Sequence, residues 1–283
     1  MQIAILFFVL LSLLACTGCT GPAEEEVSPV VSVAVTIPPQ AEMVREIGDG
    51  RVDVVILIPP GSDPHTYEPP LSLVRKAAGA DLYLKLGNGL FPVEDMLATR
   101  LREMNPDLIV VDTSAGIEYL GTEGKPDPHV WLSLKNAVVM AGNTRDALVQ
   151  ADPPFREMYQ ENSGRYIARI EELHQRITAE FSEKDPGLIL TTHQAWDYFA
   201  RDYNLTIVSI ERDGKEPTAQ DLQNLISQGR RQGVSQVFAE AQESPREAQV
   251  VAGGIGATVI IIDPLSPDYI ASMEQVAMAF SGS

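Results

Sequence analysis

Asp-Pro-His occurs at Asp63-Pro64-His65 and again at Asp127-Pro128-His129. A third histidine, His193, and a further Asp-Pro pair, Asp263-Pro264, follow in the second half. Each of these four segments lies beyond an apolar run that reads as a strand. The chain has four histidines, and only His174 falls outside a loop of this kind. Three neutral imidazoles and a carboxylate suffice to hold one divalent transition-metal ion. Proline beside three of the four candidates restricts the backbone and keeps the loops in shape. Each residue also has an ordinary use, since Asp-Pro commonly begins a turn and a histidine can sit at a helix N-terminus. The concentration of His65, His129 and His193 in one loop type is what points to a metal. Glu240 ends another strand-like run; it competes with Asp263 as fourth ligand, or serves as the partner that fixes an imidazole tautomer. His174 reads as a helix-surface residue and not as a ligand.

The elements that must position these residues alternate along the chain. Strands are expected at Val30 to Ile37, Val52 to Ile58, Asp81 to Leu86 and Leu108 to Val111, with helices at Ala41 to Ile47, Leu71 to Ala78 and Val93 to Met104. The second half repeats the pattern, with strands at Leu188 to Thr191, Thr206 to Ile210, Val234 to Ala239 and Thr258 to Ile262. Helices are expected through Ala195 to Asp202 and from Pro217-Thr218, where Thr218 and Asp221 are spaced as a capping box. Apolar strands separated by helices indicate parallel sheets covered on both faces, hence an α/β fold. Between the halves, Phe155, Tyr159, Tyr166, Ile170, Leu173, Ile177 and Phe181 recur mostly at three- and four-residue steps. Such a stripe predicts one helix of some 45 Å from Pro153 to about Ser182, with Asp152 as its N-cap.

The N-terminus carries a different signal. Ile3 to Leu14 is apolar except for Ser12, and twelve residues span only about 18 Å as a helix, too short for a bilayer core. The run fits a secretory leader. It passes into Leu13-Leu14-Ala15-Cys16, a lipobox-like segment, with Cys19 as a second possible acceptor of the lipid. No cysteine follows Cys19, so the folded part has neither disulfides nor thiolate ligands. Net charge is −18, which argues against nucleic acid and attracts cations weakly. The expected organisation is a signal peptide over residues 1–19, an acidic tether over 20–29, and an N-terminal α/β lobe over 30–150. A connecting helix over 151–184 and a C-terminal α/β lobe over 185–283 complete it.

Taken together, the motifs Asp63-Pro64-His65-Thr66-Tyr67-Glu68-Pro69, Asp127-Pro128-His129-Val130-Trp131-Leu132, Thr192-His193-Gln194-Ala195-Trp196, Glu216-Pro217-Thr218, Phe238-Ala239-Glu240 and Asp263-Pro264-Leu265 resemble a known family. It is that of the zinc- and manganese-binding solute-binding lipoproteins of ABC importers, the ZnuA/TroA-like proteins. The resemblance implies two α/β lobes joined by a rigid helix, with one metal ion in the cleft between them. Its ligands fall on His65, His129, His193 and Asp263. It also implies a permease and an ATPase as partners, a lipid anchor at the outer face of the cytoplasmic membrane, a monomer, and no enzymatic activity. Two departures stand out. The segment Ser114 to Lys125 lacks the long histidine-rich loop of many zinc-uptake members, and Ser133 replaces an Asp common after Trp-Leu. Three imidazoles favour zinc over manganese or iron, because intrinsic affinity of such sites runs that way. A zinc hydrolase and a surface adhesin are the rival readings; four protein ligands would close the shell that a hydrolytic zinc keeps open.

Overall fold

The computed structural model describes residues 30–87, 89–122, 124–211 and 216–282. The signal peptide, the tether and the acceptors Cys16 and Cys19 lie outside the described residues. Among the described residues no helix is long and apolar enough to cross a membrane.

Two four-stranded sheets form the frame. The first holds β1 (Val31–Val35), β2 (Val52–Ile56), β3 (Leu82–Lys85) and β4 (Ile109–Asp112) in the order β2-β1-β3-β4. A short ribbon, β5 (Gly121–Thr122) with β6 (Lys125–Pro126), follows it. The second sheet holds β7 (Leu188–Thr191), β8 (Thr206–Ser209), β9 (Gln236–Glu240) and β10 (Thr258–Ile262) in the order β10-β9-β7-β8. Read from the other edge, the second order repeats the first. All pairings within both sheets are parallel. Interior strands β1 and β7 are β-branched or leucine-rich and almost wholly buried, as strands covered on both faces must be.

Side chains alternate between two layers of helix. In the first sheet Val33 and Val35 face α1 (Pro38–Gly48) and α4 (Leu134–Ala151), while Ala34 and Tyr83 face α2 (Leu71–Ala78) and α3 (Pro92–Met104). In the second, Leu190 and Val237 face α7 (Ala219–Gln232) and α8 (Arg246–Ile255). Ile189 and Phe238 face inward with α6 (Asp197–Tyr203) and α9 (Tyr269–Ser281). The inner layers of both sheets merge into one core around α5 (Arg156–Glu183). Tyr159, Tyr166, Ile170, Leu173 and Ile177 form its buried stripe, and at ~1.5 Å per residue it is about 42 Å long.

The start of that helix differs from expectation. Pro153–Phe155 is a separate 3-10 turn, and α5 begins at Arg156. Asp152 gives no side-chain cap, because its Oδ2 accepts from Arg51 Nη2 at 2.9 Å and from Tyr159 Oη at 2.8 Å. That oxygen is taken by a guanidinium and a phenol, and the side chain makes no cap bond to the helix. Two other caps form, one of them the box expected at Thr218 and Asp221. Ser133 Oγ accepts from Asn136 N at 3.1 Å and begins α4, and Thr218 and Asp221 make the reciprocal box at the head of α7. The last helix closes back on the first: Glu42 of α1 accepts from Tyr166 Oη at 2.8 Å and from Ile270 N at 3.4 Å.

Candidate metal centre

The loops after β2, β4, β7, β9 and β10 all leave the carboxyl ends of parallel strands, where open α/β sheets hold their ligands. His65 and His129 come from loops of the first sheet; His193 lies two residues beyond β7. The fold brings these three together. Their Nε2 atoms stand 3.2 Å (His65 to His129), 3.2 Å (His65 to His193) and 3.3 Å (His129 to His193) apart.

One turn geometry is used three times to build the site. In each Asp-Pro-X segment the Asp Oδ1 accepts the backbone N–H two residues on, as an Asx turn. The distances are 2.8 Å for His65, 3.0 Å for His129 and 2.9 Å for Leu265. Asp63, Asp127 and Asp263 therefore do begin turns, and the first two of those turns aim a histidine. Asp127 does more, for its Oδ1 also takes His129 Nδ1 at 2.8 Å. That bond puts the proton on Nδ1 and leaves Nε2 with a bare lone pair. The same segment is tied to the second half, since Tyr198 Oη donates to the Asp127 carbonyl at 3.0 Å. Trp131 Nε1 likewise donates to the Pro264 carbonyl at 2.8 Å.

His193 is oriented by different means. Its Nδ1 lies 3.4 Å from Glu211 Oε2 and 3.5 Å from Glu243 Oε1. Neither glutamate was anticipated. The available signals were the position of Glu211 just past β8 and the spacing of Glu243 three residues after Glu240. Glu240 is buried, and its Oε1 accepts from Trp196 Nε1 at 3.0 Å, so that oxygen is committed to an indole.

Asp263 is not gathered with the three histidines. Its Oδ1 accepts from Gln242 Nε2 at 2.6 Å and from Leu265 N at 2.9 Å. Among the described residues two groups have ligand atoms mutually within 4.8 Å, the three histidines and His193 with Glu211 and Glu243, and Asp263 is in neither. His174 stands elsewhere, on α5, with Nδ1 2.9 Å from Tyr203 Oη.

The electrostatics differ across the centre. Burial lowers His65 to about 4, helped by the neighbouring His129 and His193, although the residue as a whole is exposed. Burial also lowers His129 in spite of Asp127. Burial alone would lower His193 as well, but the Glu240, Glu243 and Glu211 carboxylates outweigh it and its pKa is raised. Burial pushes Glu240 up to about 7.

Three bare imidazole nitrogens that face one another repel unless a cation lies between them. Around zinc, with Zn–N of 2.0–2.1 Å, tetrahedral nitrogens stand about 3.3–3.4 Å apart, which the observed triangle matches. The same triangle fits one face of an octahedron with bonds of about 2.3 Å. The cavity that they line is about 20 Å³, room for roughly one water-sized sphere. An ion that enters must therefore shed most of its hydration.

Residues 33–282 match the family model for zinc-uptake complex component A, the periplasmic ZnuA family. The chain belongs to this family. It is 28% identical over 268 residues to a metal ABC transporter substrate-binding lipoprotein of Lactococcus lactis, covering 90% of this chain and 86% of that protein. It is 27% identical to the manganese ABC transporter substrate-binding lipoprotein PsaA of Streptococcus anginosus, over 88% of this chain and 84% of that one. Among solved structures, a crystal structure of ZnuA superimposes with a TM-score of 0.85 at 32% identity, covering 90% of this chain and 99% of that chain. The two parallel α/β sheets and the long helix are thus the fold of the family, and a metal-binding role in an ABC transporter follows from membership. Relatives are named for both zinc and manganese, so the name alone does not choose the ion.

Proposed function

We propose that the protein captures one divalent transition-metal ion outside the cytoplasm and delivers it to the permease of an ABC importer, with zinc as the preferred cargo. His65, His129 and His193 bind through Nε2, and Asp263 supplies the fourth ligand from the edge of the triad. The observation that carries the reading is the convergence of three Nε2 atoms at 3.2–3.3 Å while two of the rings direct Nδ1 toward carboxylates. The three-imidazole donor set supports zinc, since nitrogen donors rank it above manganese. Manganese or iron in the same role is the runner-up, supported by the relative named for manganese.

The protein acts as a monomeric carrier held by a lipid on Cys16 or Cys19, with lobes at 30–150 and 185–283 joined across 151–184. It is not a hydrolase on this reading. Four protein ligands leave no position for an attacking water, and Glu240, the nearest candidate base, is bonded to Trp196.

Elemental analysis of protein purified without chelators, followed by competition between zinc and manganese, tests the reading. One ion per chain and retention of zinc against excess manganese are expected. Displacement of zinc by equimolar manganese would reject the preference, and no stoichiometric metal at all would reject the centre.

A further inference from the structure

We infer that Gln242 is a specificity-determining residue, which makes Asp263 approach the ion through a single oxygen; the inference rests on Asp263 being the fourth ligand. Asp263 Oδ1 receives two donors, Leu265 N at 2.9 Å and Gln242 Nε2 at 2.6 Å. The backbone donor is shared by all three Asp-Pro-X turns. The side-chain amide is peculiar to the third, since Asp63 Oδ2 takes Thr66 Oγ1 and Asp127 Oδ1 takes His129 Nδ1. An oxygen whose lone pairs are directed at two N–H groups is a poor ligand, which leaves Oδ2 to the metal.

The amide is held in one sense only. Gln242 Oε1 is buried and meets no donor among the described residues, yet turning the amide over would set that oxygen against the Asp263 carboxylate. Gln242 also lines the same small cavity as His65, His129 and His193, so the residue borders the centre.

Coordination number is what this decides. One oxygen added to three nitrogens makes four donors, the number zinc prefers. A carboxylate free to chelate through both oxygens makes five and admits ions that favour higher coordination, manganese among them. Gln242 therefore restrains the centre from the cargo that the donor set otherwise tolerates.

The test replaces Gln242 in the full chain by Ala and, separately, by Met, which keeps the length of the side chain but has no N–H donor. Each protein is loaded with cobalt(II) for visible absorption, and zinc and manganese affinities are measured by chelator competition. The unaltered chain is expected to show the intense bands of four-coordinate cobalt. Both variants are expected to show the weaker bands of a higher coordination number and a zinc-to-manganese preference reduced by roughly tenfold, the usual scale for partners of metal ligands. Unchanged spectra and preference in both variants overturn the inference. So does recovery by Met of what Ala loses, because that assigns the effect to packing. Asp263→Ala separates the underlying reading. If it keeps the four-coordinate spectrum and full zinc affinity, Asp263 is no ligand and both proposals fall. If it loses them while the Gln242 variants do not, only the inference falls.

Discussion

The two halves of the molecule bring their imidazoles to the centre in opposite electrostatic surroundings. His65 and His129 sit in Asx turns among Phe91 and Trp131, and burial holds both below the ordinary imidazole range. His193 sits among Glu211, Glu240 and Glu243 and is raised. The first half thus contributes shape, in the form of neutral nitrogens already aimed. The second half contributes negative charge, in the Glu211, Glu240 and Glu243 carboxylates that surround His193. A centre divided in this way is complete only when both sheets are docked, and the merged core around α5 is what docks them.

The largest expected effect comes from removing a ring. His129→Ala and His65→Ala should each weaken metal binding by at least about a hundredfold, more than loss of a supporting partner does. Chelator competition measures this, and retention of near-native affinity in either variant would break the assignment of the first half as the source of ligands.

Supporting groups come next. Asp127→Asn removes the carboxylate from His129 Nδ1 and should cost about ten- to a hundredfold in affinity. Asp63 makes the same turn, but its carboxylate accepts from the His65 backbone and Thr66 Oγ1 and from no ring nitrogen among the described residues, so Asp63→Asn should cost much less. Equal losses would show that the turn, and not the ring contact, is what matters.

Acidity sharpens the contrast between the halves. As pH falls, His193 is the first of the three imidazoles to take a proton, because its pKa is raised while those of His65 and His129 are lowered. The proton must leave before metal binds, so affinity declines as pH falls through that value. His65, held to about 4, offers no competition until far lower pH. Replacing Glu211 and Glu243 together by Gln removes two of the groups that raise His193, and the midpoint of the decline should move to more acidic pH. A midpoint that stays in place sinks this account of the second half.

The smallest effects should lie along the junction. Metal should raise the melting temperature by binding the folded state, yet leave the radius of gyration in small-angle scattering nearly unchanged, since α5 packs on elements of both sheets. A marked compaction on loading would mean that the sheets hinge. His174→Ala should leave metal affinity unchanged while losing the Tyr203 hydrogen bond, worth about 0.5–1.5 kcal/mol.

Several elements could be read from residue order because their signals are local. Leu188–Thr191, Thr258–Ile262 and Leu71–Ala78 are apolar or amphipathic runs bounded by Gly, Pro or Asp, and they form over those same residues. The caps at Ser133 and Thr218 are likewise matters of three or four residues. Three helices escaped such reading. Leu134–Ala151 has the small, mixed composition of a helix packed on two sides, and Tyr269–Ser281 is apolar nearly all round with Glu274 its one charge. Arg246–Ile255 contains Gly253 and Gly254, and glycine weakens a helical pattern. A Cβ at Gly254 would lie 2.5 Å from Ile226 Cδ1, so this glycine reflects close approach of α8 to α7.

By itself the sequence determined the parallel α/β class, the three scarce histidines in post-strand loops, and the Asp-Pro-X turns that present two of them. Those depend on chain neighbours a few residues apart, whose interactions survive without the rest of the molecule. Only the tertiary structure decided that His65, His129 and His193 converge to 3.2–3.3 Å. It also decided that Glu211 and Glu243 flank His193, that Asp152 serves Arg51 and Tyr159 in place of a helix end, and that Gln242 holds Asp263. Residues tens of positions apart meet only where the docking of two sheets on one helix places them, and spacing along the chain carries no record of that angle.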